Sequence, residues 1–115
     1  MADFKKLLVY QKARRLAKRM AEYHPRIRKR NRRLADQIER AIESIGDVIA
    51  EGRGRATDKD FANFITMAIG SANEAEHHFE RALDGCILTE AEHRSLTDDV
   101  IEIRKMLIGL RRRLR

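Results

Sequence analysis

Two short spacings in this chain could hold a pair of metal ions: Glu74-Ala-Glu-His77 and Glu90-Ala-Glu-His93 each set a carboxylate three residues before an imidazole. Bundles that bind two irons use this spacing on paired helices, completed by a carboxylate from each of two others. Glu22 and Asp36 could supply those. Register opposes the idea. Folding the third and fourth helices about a turn near residue 87 places His77 opposite about residue 97, offset from His93 by roughly 6 Å at about 1.5 Å per residue. Facing opposes it too, because Ala72, Ala75 and Phe79 take the seam and leave His77 pointing away from the core. His77 and His78 project about 100° apart and cannot chelate from one helical face. No metal and no other cofactor is expected, and a di-metal carboxylate enzyme is a remote alternative.

Nucleophilic chemistry has little support. Ser44 and Ser71 lack a histidine and an aspartate in a plausible triad, and Cys86 has no evident activating base. Gly52-Arg53-Gly54-Arg55 is too short for a phosphate-cradling loop and lacks the preceding strand. His24, beside Pro25, reads as a turn residue. The chain reads as non-catalytic.

Charge is the stronger signal. The chain has 115 residues and a net charge of +7, so it attracts polyanions, of which nucleic acid is the commonest in a cell. From Arg26 to Arg33 every residue except Ile27 and Asn31 is basic: Arg26, Arg28, Lys29, Arg30, Arg32 and Arg33. A second concentration joins Arg53, Arg55 and Lys59 with Lys5, Lys6 and the terminal Arg111, Arg112, Arg113 and Arg115. The acids, among them Glu39, Glu43, Glu74, Glu76, Glu80 and Glu102, fall mainly along the helix bodies. The expected field is positive at both ends. Cations after helix C-termini complement the macrodipole by roughly 0.3 to 1 kcal/mol each, but one or two suffice, and the longer run repels itself. Three readings of that run stand: a polyanion contact, a solvated surface, or the docking site of an acidic protein. Base-specific readout is not expected, because aromatic residues are only 5% and most occupy seam positions, leaving phosphate contacts to dominate.

The elements that must position these cations are helical. One proline, no tryptophan and long runs of helix formers favour an all-α domain over residues 1–115. At this length a domain buries roughly two-thirds of its unfolded surface, enough for one core. The first helix starts near Asp3 or Phe4, carries Val9, Ala13, Leu16, Met20 and Tyr23, and stops at Pro25. The second runs from about Asn31 through Leu34, Ile38, Ala41, Ile45 and Val48 to Gly52, with Gly52 and Gly54 expected at φ > 0. The third runs from Thr57 through Phe61, Ile65, Ala68, Ala72, Ala75, Phe79 and Ala82 to Gly85. Thr89 and Glu92 form a capping box that opens the fourth, whose seam is Leu96, Val100, Ile103, Leu107, Leu110 and Leu114. Short connections make this an antiparallel up-down-up-down four-helix bundle. Ile42, Ile49, Phe64, Ile101 and Ile108 lie beside the seams, as a widened core or as a homo-oligomer interface; the interface is the expectation. A lone cysteine fits a reducing compartment, the cytoplasm by default. No segment approaches the roughly 18 apolar residues that span a bilayer, so no membrane is expected.

The wording also resembles a known family. Phe4-x-x-Leu7-x-Val9-Tyr10-Gln11-Lys12-Ala13, Ser44-Ile45, Ile49-Ala50-Glu51-Gly52-x-Gly54-Arg55 and Gly70-Ser71-x-x-Glu74-x-Glu76 are similar to the signature of the 23S ribosomal RNA intervening-sequence proteins. Val48 stands where that family usually has asparagine, Gly46 where proline or a small residue is frequent, and Ala75 where leucine is usual. The resemblance implies a non-catalytic four-helix bundle assembled as a ring-like homopentamer. The same fold occurs in accessory variability proteins of diversity-generating retroelements, which implies nucleic acid, and a reverse transcriptase, as partners. The alternative is a protein-interaction scaffold that docks an acidic partner or a reverse transcriptase, with nucleic acid incidental.

Overall fold

A computed structural model describes residues 3–114, and among these every regular element is helical. A 3-10 turn at Phe4–Lys6 leads into four helices, α1 (Leu8–Arg30), α2 (Arg32–Arg53), α3 (Asp58–Asp84) and α4 (Glu90–Arg113), which form a rod of 43 × 19 × 19 Å. The core is one cluster: Leu16, Ile38, Ile45, Ile65, Phe79, Leu96 and Leu107 are sealed from solvent, and the alanines Ala68, Ala72, Ala75 and Ala82 let α3 sit close to its neighbours. Contact partners run in opposite numerical order along each neighbouring pair. On α1 and α4, Lys12 meets Glu102, Arg19 meets Asp99 and Arg26 meets Glu92. On α2 and α3, Gln37 meets Arg81 and Ser44 meets Ser71. The seam between α1 and α4 is the most loosely packed of the four.

Pro25 does not stop the first helix. It lies inside α1, on the exposed side, and Ala21, whose carbonyl loses its donor, is exposed as well, so water can take that acceptor. Ile27 beyond it is fully buried and extends the apolar stripe, and that packing outweighs the lost hydrogen bond. The break comes at Asn31 instead, at φ −157° and ψ 93°. Its N–H donates to the Ile27 carbonyl at 2.8 Å, ending α1, and its side chain accepts from the Leu34 N–H at 3.0 Å, starting α2. One residue makes the whole corner.

The glycines differ from expectation in the same instructive way. Gly52 lies within α2 and Gly54 adopts φ −81°, so neither supplies a left-handed residue. Gly52 is required by space: a Cβ there would stand 2.5 Å from the Phe64 Cβ and 3.1 Å from the Phe61 ring. Among the described residues the left-handed position falls on Cys86, at φ 58°, just after the Gly85 cap of α3. The Ile87 N–H there reaches back to the Ala82 carbonyl at 2.9 Å, the wrap-around bond of a helix C-terminus. Thr89 and Glu92 form the expected capping box.

Candidate nucleic-acid interface

The candidate residues are distributed over two corners and the α4 terminus. At the first corner α1 ends in Arg28, Lys29 and Arg30, and α2 begins with Arg32 and Arg33. The six cations of this run divide. Arg26 is committed to the protomer: its Nη2 donates to Glu92 Oε1 at 2.7 Å, and its guanidinium lies 5.4 Å from the Tyr23 ring centroid. Arg30 reaches the Gly85 carbonyl at a long 3.5 Å. Arg28, Lys29, Arg32 and Arg33 are exposed and form no ion pair among the described residues.

Position relative to the helix ends separates these four again. Arg28 and Lys29 occupy the last turn of α1, where the macrodipole favours cations. Arg32 and Arg33 occupy the first turn of α2, which holds no acidic residue, and there the dipole opposes them. The α2 dipole supplies no reason for two arginines at that end.

At the second corner the cations are held differently. The Arg53 guanidinium lies 5.4 Å from the centroid of Phe61 and that of Arg55 lies 4.6 Å from Phe64, the aromatics against which Gly52 packs. Arg55 also pairs with Glu51 at 3.2 Å, whereas the buried Arg53 Nε has no hydrogen-bond partner among the described residues. Lys59 is exposed. Arg111 donates to Thr66 Oγ1 at 3.2 Å, Arg112 and Arg113 are exposed, and Arg115 lies outside the described residues.

The expected interface row is corrected for two of its members. Ile42 and Ile49 are 1% and 0% exposed within the single chain, so they close the protomer's own core and offer nothing to a second copy. Phe64, Ile101 and Ile108 are half-buried. Among the described residues the large apolar side chains left in solvent are Leu8 and Met67, at 56% and 55%, neither of which belongs to a helical seam.

The Glu-x-x-His spacings go to structural contacts. His93 Nε2 lies 3.4 Å from Glu80 Oε1, the offset pairing expected from the register, and His77 is exposed. His78 turns inward instead, 3.6 Å from Glu74 and 3.3 Å from Arg81, and burial pushes its pKa below the ordinary 6.5. Among the described residues no three His, Cys, Asp or Glu side chains gather where they could hold a metal. His24 is a helical residue of α1, not a turn residue; its Nε2 faces Asp36 and Glu39 of α2 at 3.5 and 3.4 Å. Among the described residues no helix is long and apolar enough to cross a membrane.

The signature residues explain themselves mechanically. Ser44 and Ser71 hydrogen-bond to each other at 2.9 Å across the α2–α3 seam, and Gly52 lets the same seam close on Phe61 and Phe64. Val48, in the usual place of asparagine, packs half-buried against the core. These words of the sequence encode helix packing more than chemistry.

A family model described as 23S rRNA-intervening sequence protein matches residues 5–109. A solved structure from Bacteroides thetaiotaomicron VPI-5482, described as a protein of unknown function from the S23 ribosomal protein family, superposes with a TM-score of 0.83. It is 27% identical and covers 90% of this chain and 97% of its own. No curated protein matches. Neither match names a retroelement or a reverse transcriptase. With the match spanning nearly the whole chain and the four helices in place, this protein belongs to the 23S rRNA-intervening sequence protein family.

Proposed function

We propose that this protein is a non-catalytic, cytoplasmic adaptor that binds RNA through phosphate contacts, with the α1–α2 corner as its principal anchor. One observation carries the reading. Arg32 and Arg33 sit exposed at the positive end of α2 with no carboxylate partner among the described residues, where the α2 dipole opposes them, and a bound polyanion would offset that. Arg28 and Lys29 extend the same surface, and Arg53, Arg55, Lys59 and Arg111 to Arg113 make a second, more constrained anchor. The family description adds an association with ribosomal RNA.

We read the protomer as an antiparallel up-down-up-down bundle, on the opposed numbering of its inter-helix contacts. Self-association belongs to the proposal, as the ring-like pentamer that the resemblance implies, with Leu8, Met67, Ile101 and Ile108 available to it. Light scattering reads the mass directly. For binding, fluorescence anisotropy of labelled RNA between about 50 and 200 mM salt is the test, because a binder that neutralises several phosphates loses orders of magnitude across that range. Absent or salt-insensitive binding overturns the reading.

A further inference from the structure

One helix holds the whole charge excess of the molecule. α1 contains nine lysines and arginines against the single Glu22, a net +8, while the chain as a whole is +7. The remaining residues are therefore close to neutral. Those nine cations do not share one environment. Lys12, Arg19 and Arg26 recur every seven residues on the flank that faces α4, and each meets a carboxylate there: Glu102, Asp99 and Glu92. Arg14, Arg15, Lys18, Arg28 and Lys29 are exposed and form no ion pair among the described residues.

Geometry sorts the second set onto one surface. At about 100° per residue, Arg14, Arg15, Lys18 and Lys29 fall within a sector of about 100° opposite the buried stripe of Val9, Ala13, Leu16, Met20 and Ile27. From Arg14 to Lys29 the sector is about 22 Å long at about 1.5 Å per residue. It runs into the corner that carries Arg32 and Arg33. The nearby carboxylates offset it only in part. Asp99 and Glu102 share a groove with Arg15 but are taken by Arg19 and Lys12, and Glu43 and Asp47 share a groove with Arg14 without forming an ion pair among the described residues. Glu22, the one acid in the sector, makes no ion pair either among the described residues.

We infer that the outer face of α1 is a rail for a nucleic-acid backbone, continuous with the corner, so that the contact follows the length of a helix instead of ending at its tip. This rests on the RNA-binding reading above and extends its surface to Arg14, Arg15 and Lys18. Charge complementarity names the occupant: a duplex carries one negative charge per about 1.7 Å of axis, so a 22 Å strip meets far more phosphates than it has cations. A membrane surface fits poorly, because the sector from Gln11 to Lys29 offers no leucine, isoleucine, methionine or aromatic side chain to insert.

The test compares the full chain with the triple variant Arg14→Gln, Arg15→Gln, Lys18→Gln, using a labelled RNA as single strand and as duplex. The plot of log affinity against log salt should lose about 2 in slope for the single strand and nearly 3 for the duplex, at roughly 0.7 and 0.9 per phosphate contact. Circular-dichroism melting and light scattering should show an unchanged fold and mass. An unchanged slope in a parent that does bind overturns the rail and leaves the corner standing; a parent that fails to bind overturns both. A changed mass in the triple variant overturns the rail by assigning the face to subunit contact. Labelled polyglutamate losing affinity for the variant while the RNA slope holds would do the same, by assigning the face to an acidic protein.

Discussion

The α1–α4 seam and the α1–α2 corner are built from the same residue types and use them in opposite ways. Along the seam Lys12, Arg19 and Arg26 each meet a carboxylate, and Arg19 also donates to Ser95 Oγ at 2.6 Å. At the corner Arg28, Lys29, Arg32 and Arg33 face solvent without one among the described residues. A cation's role therefore follows from what the neighbouring helix presents, not from its identity or its membership in a basic run. Arg26 and Arg28 make the point at two residues' separation: about 200° of helical rotation turns one toward Glu92 and the other outward. Seam cations close the loosest helix pair; corner cations add self-repulsion that folding alone does not require.

The comparison breaks most visibly in binding. Replacing Arg28, Lys29, Arg32 and Arg33 together by glutamine should lower low-salt RNA affinity by about two orders of magnitude and remove about 3 from the salt slope. Anisotropy titration reads both. The seam is expected to behave conversely: Arg19→Gln with Arg26→Gln should cost about 0.2 to 1 kcal/mol per pair, the worth of exposed ion pairs, and lower the melting temperature by a few degrees while leaving the RNA salt slope in place. Smaller still, and of opposite sign, Arg32→Gln with Arg33→Gln should raise the melting temperature slightly, because each change relieves about 0.3 kcal/mol or more of dipole repulsion. Calorimetry resolves that sign.

Acid sharpens the seam. The hydrogen bond from Arg26, then that from the Thr89 N–H, hold the Glu92 carboxyl below its ordinary 4.5. A carboxylate with a depressed folded pKa contributes stability above its unfolded pKa and loses it as pH falls through the folded one, so the denaturant concentration needed for unfolding should fall on the acid side of 4.5. Glu92→Gln should flatten part of that fall. His78 adds an earlier loss, because its folded pKa lies below 6.5: the unfolded chain takes up the proton first, and stability drops as pH falls below that value. His78→Gln should remove this step.

Much of the fold was legible because helical periodicity is a local signal. The stripes of α2, α3 and α4, the Asn31 start, the Thr57 cap and the Thr89 capping box all follow from spacing and side-chain type. The misreadings have one cause: tertiary contact overrides local preference. Pro25 stays helical because Ile27 is buried beyond it, Gly52 is needed for the approach of Phe64, and the left-handed residue falls on Cys86 instead of on Gly52 or Gly54. The basic corner was visible as a run. Its division into committed and free cations was not, since only register places Glu92 beside Arg26. The rail on α1 left a readable trace, nine bases against one acid in a single helix, hidden when charge was weighed by the ends of the molecule alone.

The most direct test sets corner against seam with equal charge removed: Arg32→Gln, Arg33→Gln against Arg19→Gln, Arg26→Gln, both titrated with the same RNA across the same salt series. The corner variant should lose about 1.4 to 1.8 in salt slope with its melting temperature held or raised, while the seam variant keeps the parental slope and melts lower. Equal slopes in the two variants would contradict the division of cations between folding and phosphate on which this account depends.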